Sequence, residues 1–331
     1  MPTGDDLFAG EQPAPDNPLA KSLSDLANRN IYIGTSSWKY PGWIGQLYSA
    51  NRYLYRGKVA ETRFSRDCLT EYAETFSTVC IDAGYYRFPT EKYLAGLAAQ
   101  VPQGFRFSIK CTDEITTKKF TNLPRHGERA GKPNENFLNA ELFKSLFLKP
   151  CHRALTDHLG LVILEFSRFY PTEYERGREF IDDLDRFLAQ LPTRDFQIGT
   201  EIRNTSFIHP DYFACLASHG VAHVYNSWTG TPPLQEQVAM PGSLTAGDFT
   251  AARLLLKPGR KYQQAVDSFM PYDKTSEPLP EVRSATADLI RGLLTKQSKR
   301  GTYIYVNNRL EGNAINTIAA ILDLLGPAPG P

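Results

Sequence analysis

From Leu161 to Arg203 the chain reads LVILEFSRFYPTEYERGREFIDDLDRFLAQLPTRDFQIGTEIR. It opens on an apolar run short enough for one buried strand, LVILEF, passes through a helix-type pattern, EFIDDLDRFLAQL, and closes on a second strand-type run, FQIGTEIR. A strand, a helix and a strand in succession form the repeating unit of α/β proteins. Both strand-type runs end polar: Glu165 closes the first, and Glu201 with Arg203 closes the second.

The same alternation extends in both directions. Strand-type runs stand at 31–34, 78–82, 105–110, 221–226, 252–257 and 302–308, which with the two above makes eight. Helix-type patterns fill most of the gaps. The last of them, NAINTIAAILDLL, repeats Ile315, Ile318, Ala319, Leu322 and Leu325 at helical spacing, with Asn313 as its cap and Gly326 as its stop. Eight such units predict an α/β fold, a single (β/α)8 TIM-type barrel over 31–325, with a doubly wound open sheet as the competing arrangement. Residues 1–30 read as a flexible or peripheral N-terminal extension in which NPLAKSLSDLAN forms a short helix, and 326–331 as a loose tail.

In a barrel the loops that follow the strands build the site, so polar strand ends carry functional weight. Here they are Asp82, Lys110, Glu165, Glu201 with Arg203, Asn226, Lys257, and Asn307 with Asn308. The two-residue period of a strand sets Arg106, Ser108 and Lys110 on the barrel side of FRFSIK, and it groups Glu201 and Arg203 with Gly199, and Asp82 with Cys80. Two readings of these charges stand side by side. They form an internal salt-bridge network that plugs the barrel, or they form a reactive rim whose burial tunes their ionisation.

Composition narrows the class. With 41% apolar and 12% aromatic residues in 331, the chain carries ample core, and a net charge of +1 gives no overall attraction to nucleic acid or to an anionic membrane. The five cysteines are scattered without metal-ligand spacing, which fits a reducing cytoplasm. No run is long and apolar enough to span a bilayer, and the first thirty residues lack the pattern of a signal peptide.

After the first strand comes an aromatic loop, in IYIGTSSWKYPGWIGQLYS at 31–49. Trp38, Tyr40 and Trp43 there, with Tyr85 and Tyr86 of the next loop opposite, read either as a stacking platform for a sugar or base at a pocket mouth, or as a cover sealing the barrel top. Two stretches on the same face are basic: Lys110 to Lys132, a long loop, and KPGRKY with Lys257, Arg260 and Lys261. They favour an anionic ligand such as a phosphate or carboxylate. Asp82, Glu165, Glu201 and Glu311 have the oxygen chemistry for a Mg2+ ion, whereas no glycine fingerprint for a nucleotide cofactor is present.

Five elements in order, GTSSWKYPGW, FSTVCIDAGYYRFP, GFRFSIKCTDEIT, EIRNTSF and YIYVNNRLEGNA, resemble the YecE-like family, catalogued as domain of unknown function 72. The resemblance spans Ile31 to Leu325. It implies a TIM-type barrel of the bacterial or archaeal cytoplasm and supplies no reaction. Lys110, Glu201, Arg203, Asn307, Asn308, Glu311 and Gly312 match the family pattern. Cys80 and Asp82 depart from a family Val-Glu-Ile-Asn, and Glu165 and Asn204 stand where the family carries Gln and His.

The resulting expectation is an enzyme acting on a small anionic or sugar-like compound by general acid–base chemistry. Glu201 is the base held by Arg203, Lys110 stabilises negative charge and Glu165 is the second acid; Trp38, Tyr40, Trp43, Asp82, Tyr86, Lys257, Asn307, Asn308 and Glu311 contact the ligand. The rival is a protein that binds single-stranded nucleic acid through the aromatic and basic loops, and its affinity would fall steeply with salt.

Overall fold

Eight parallel strands close on themselves in the computed structural model, which describes residues 17–295 and 300–326. They are β1 (Ile31–Thr35), β2 (Thr78–Ile81), β3 (Arg106–Lys110), β4 (Leu159–Phe166), β5 (Gln197–Ile202), β6 (Ala222–Ser227), β7 (Ala251–Leu254) and β8 (Thr302–Val306). Each pairs with its neighbour in sequence, and β8 returns to β1 in register from Ile31 against Thr302 to Thr35 against Val306. The barrel, not the open sheet, is the fold.

Alternation along the strands sorts the side chains as the period of two requires. In β4, Leu161 and Ile163 point into the barrel with Cys80, Val224, Tyr303 and Tyr305, while Val162, Leu164 and Phe166 join the apolar layer against the helices. The interior is filled by polar contact as well as apolar. The Tyr305 hydroxyl donates to Ser108 Oγ at 2.6 Å, and Ser108 Oγ accepts the Leu161 amide at 3.1 Å. Gly199 is required in this packing, because a Cβ there would stand 2.6 Å from a methyl of Val224.

Outside the barrel, helices such as Glu61–Tyr72, Gly177–Leu188, Pro280–Leu294 and Ala314–Leu325 connect the strands. The last begins where the sequence indicates, with Asn313 Oδ1 accepting the Asn316 amide at 2.9 Å, and it stops at Gly326 with φ 72°. Helix Pro18–Ala27, capped by Asn17, buries Leu23 and Leu26; residues 1–16 of the expected extension and 327–331 of the tail lie outside the described residues. Two further helices, Leu234–Ala239 and Tyr262–Phe269, escape the sequence reading because each buries only two side chains, too few to mark an apolar face. The seventh strand ends at Leu254 rather than at Lys257, so Lys257 belongs to the loop.

Among the described residues, no helix is long and apolar enough to cross a membrane.

Candidate functional site

The carboxyl ends of β2, β3, β4, β5 and β7 deliver six ionised side chains to one place. Arg253, from the middle of β7, is the hub. Its Nη1 donates to Glu165 Oε2 at 3.0 Å and Glu201 Oε2 at 2.6 Å, and its Nη2 donates to Asp82 Oδ1 at 3.1 Å. Glu165 Oε2 also receives Lys110 Nζ and Arg203 Nη2, both at 2.8 Å, and Arg203 Nε reaches Glu201 Oε1 at 3.2 Å. Three cations thus meet three carboxylates with no net charge. That balance is what lets so many ions leave water, since each buried charge is tolerable only when paired and hydrogen-bonded.

Depth separates the members. Glu165, Glu201 and Arg253 are buried, whereas the side chains of Lys110, Arg203 and Asp82 keep 11%, 14% and 37% of their surface open toward the rim. Burial opposes ionisation of Glu165, but Arg203, Lys110 and Arg253 together outweigh it and hold the carboxyl below its ordinary range. Burial likewise opposes the charge on Lys110, and Glu165 and Asp82 overcome it, so Lys110 stays protonated at neutral pH. Lys110 Nζ also lies 3.6 Å from the centre of the Tyr85 ring, and the Arg203 guanidinium 3.8 Å from that of Trp228.

This geometry changes the roles expected from sequence. Glu201 is fully buried and both its oxygens are occupied by arginines, so it is not placed to take a proton from a ligand. Glu165 Oε2 is taken up by Lys110, Arg203 and Arg253. Both carboxylates hold the cations in place. Asp82 is the most exposed carboxylate of the network, and its one bond there is to Arg253 Nη2 through Oδ1. A Mg2+ ion among Asp82, Glu165 and Glu201 would have to displace Arg253, and among the described residues no group of three or more His, Cys, Asp or Glu forms a metal site.

Other expected ligand residues are employed structurally. Glu311 lies apart from the network and fully buried. It accepts two bonds from Arg283 Nε, at 2.9 and 3.0 Å, a third from Arg283 Nη2 at 2.8 Å, and others from the Thr317 hydroxyl and the Leu279 amide. Asn307 caps the helical turn Asn308–Glu311 by accepting the Arg309 amide, and Asn308 Oδ1 accepts the Ala314 amide. Lys257 is paired with Glu277 at 2.6 Å.

The aromatic platform is corrected in the same way. Trp43 is completely buried, with ring centres 4.8 Å from Tyr40 and 6.2 Å from Tyr48, and Trp38 is 5% exposed. The loop packs against the backbone that follows β7 so closely that a Cβ on Gly42 would meet the Pro271 carbonyl oxygen at 2.0 Å. It is a cover, and its indoles are core. Tyr40 packs edge-on to Tyr272, and burial pushes its hydroxyl up to about 12. Tyr86, by contrast, is 62% exposed beside Tyr85 and lies under Arg125.

Sequence reasoning missed Arg253 and Trp228. The signal for Arg253 was present: a cation inside the apolar run AARLLL shares the face of Ala251, which is the barrel side. Nothing in the sequence singles out Trp228, which gains its role only by lying over Arg203.

A family model described as protein of unknown function DUF72 matches residues 32–330. A DUF72 family protein from Enterococcus faecalis V583 is similar in structure with TM-score 0.58 at 16% identity, over 91% of this chain and 97% of that one. Another from Thermotoga maritima MSB8 has TM-score 0.58 at 18% identity, over 90% and 99%. At these identities the likeness shows the fold alone. No curated protein matches the chain.

Proposed function

We propose that this chain, which belongs to the DUF72 family of proteins of unknown function, binds a small anionic compound at the carboxyl rim of its barrel and acts on it by proton transfer. The observation that carries the reading is the tilt of the charge network. Its deepest members are two carboxylates and their shared arginine, while the cations Lys110 and Arg203 keep a small accessible surface and Asp82 a larger one. Cations held rigid by buried carboxylates bind an anion without losing side-chain entropy on binding. In this reading Lys110 and Arg203 hold negatively charged or polarised oxygens of the compound, Asp82 moves the proton, and Glu165, Glu201 and Arg253 position them.

Lys110→Met tests it. Glu165 keeps Arg203 and Arg253 in that variant, so the loss of stability is expected to stay at about 1–2 kcal/mol, while binding of sugar acids and sugar phosphates, followed by thermal shift, is expected to vanish. Asp82→Asn is expected to bind these compounds and fail to turn them over. A Lys110→Met protein that binds them as wild type does, yet melts far earlier, would mean that the rim charges serve the barrel alone.

A further inference from the structure

Beside the network, a recess of about 530 Å³ opens between the loop after β3 and the loop after β4. Its charged lining is Lys118, Lys119, Arg125 and Arg168 against a single carboxylate, Glu173, which accepts the Tyr170 amide at 2.9 Å. The cations of these loops fall into two groups. Lys118 has Asp183 at 3.8 Å and the Tyr174 ring at 3.4 Å, and Arg129, just outside the recess, is paired with Glu114. Lys119, Arg125 and Arg168 are exposed and, among the described residues, have no carboxylate within ion-pair distance. Arg125 is turned toward the recess by donating from Nε to His126 Nε2 at 3.2 Å, a bond in which that histidine nitrogen accepts.

Three uncompensated cations around one recess raise its potential and favour an anion carrying more than one negative charge. Hydroxyls of Thr117, Thr121, Ser167 and Thr172 on the same walls supply further donors. A carboxylate brings one charge and two oxygens, whereas a phosphate monoester brings close to two charges and three acceptor oxygens, which matches a lysine, two arginines and hydroxyls better. Tyr85 stands between the recess, which it lines, and the rim. The same tyrosine ring has Lys110 Nζ at 3.6 Å and the Arg125 guanidinium at 5.7 Å from its centre.

We infer that this recess is a phosphate subsite, and that the compound bound at the rim is a phosphate ester. Its phosphoryl group sits among Lys119, Arg125 and Arg168, and its body crosses Tyr85 to Lys110 and Arg203. The inference rests on the proposed binding role of the rim and adds the chemical class of the ligand. It places the phosphate after the third and fourth strands, away from the seventh and eighth, where barrel enzymes frequently hold one.

Calorimetric titration of the full chain at low salt decides it, with ribose 5-phosphate, inorganic phosphate and gluconate as probes. The proteins are wild type, the triple variant Lys119→Gln, Arg125→Gln, Arg168→Gln, and Lys110→Met. The three substituted side chains are exposed, so the triple variant is expected to melt with wild type. Its Kd for ribose 5-phosphate is expected to rise about a hundredfold, with inorganic phosphate weakened in parallel and gluconate unchanged. Ribose 5-phosphate that fails to bind, binds no tighter than gluconate, or is indifferent to the triple substitution overturns the subsite. In those cases gluconate binding that still depends on Lys110 keeps the rim reading intact, and its independence of Lys110 removes that as well. Oligothymidylate that binds wild type more tightly with each added nucleotide also overturns the assignment, in favour of a polynucleotide track.

Discussion

Replacing Arg253 with methionine removes the hub of the buried network and leaves its carboxylates behind. Arg253 makes ion pairs at 2.6, 3.0 and 3.1 Å to Glu201, Glu165 and Asp82. Without it, three carboxylates share Lys110 and Arg203, and the fully buried Glu201 retains only Arg203 Nε at 3.2 Å. An uncompensated negative charge then sits inside the barrel, at an expected cost of about 3–5 kcal/mol. In a chain of this size that corresponds to a fall in Tm of roughly 4–7 °C. The pH dependence identifies the cause. In wild type, Glu165 is held below its ordinary range, so its stabilising contribution is complete above that range and is lost only as pH falls through the depressed value. In the variant the buried carboxylates accept protons more readily, so the gap between the two proteins is expected to narrow as pH falls from 7 toward 5. Urea denaturation across that range measures it. Adding Glu201→Gln to Arg253→Met removes the stranded charge and is expected to recover part of the loss. A single variant within about 1 kcal/mol of wild type, with a gap that does not change with pH, would refute the view that the network is a charge-compensated core.

Glu311→Gln is expected to destabilise the fold by about 3–5 kcal/mol, because Arg283 would lose its buried carboxylate, and to leave ligand affinity at the rim unchanged; equal stability, or a lost ligand, would show that Glu311 works elsewhere than in the helix packing. Trp228 lies over Arg203 whereas Trp43 is sealed in the cover, so a rim ligand is expected to change the fluorescence of wild type and of Trp43→Phe but not of Trp228→Phe. His223 is packed among Tyr212, Phe213 and Tyr225, and burial, only partly opposed by Gln237, pushes it down to about 4. The unfolded chain takes up that proton below about pH 6.5 while the native state does not. Wild type is therefore expected to lose up to roughly 3 kcal/mol between pH 6.5 and 4, and His223→Phe is expected to lose correspondingly less over the same range; identical slopes would show that His223 does not drive the acid loss.

The barrel was legible in the sequence because its signals are local. Runs such as LVILEF and FQIGTEIR announce strands by their own composition, the helix between them by its period, and Asn313 and Gly326 mark ends through bonds and dihedrals within one turn. The inward direction of Lys110, and the face that Glu201 shares with Arg203, followed from the two-residue period alone. What the sequence could not supply is which charge meets which, since Asp82, Lys110, Glu165, Glu201, Arg203 and Arg253 come from five strands and their distances exist only once the barrel has closed. Closure decided that Arg253 is the hub, that Glu165 and Glu201 are paired with buried cations, and that Asp82 is the most exposed carboxylate of the network. Trp43 and Glu311 show the same limit from the other side. An indole or a carboxylate reads identically in a sequence whether it faces solvent or core, and only the close approach of Gly42 to Pro271, and of Arg283 to Glu311, consigned both to the interior.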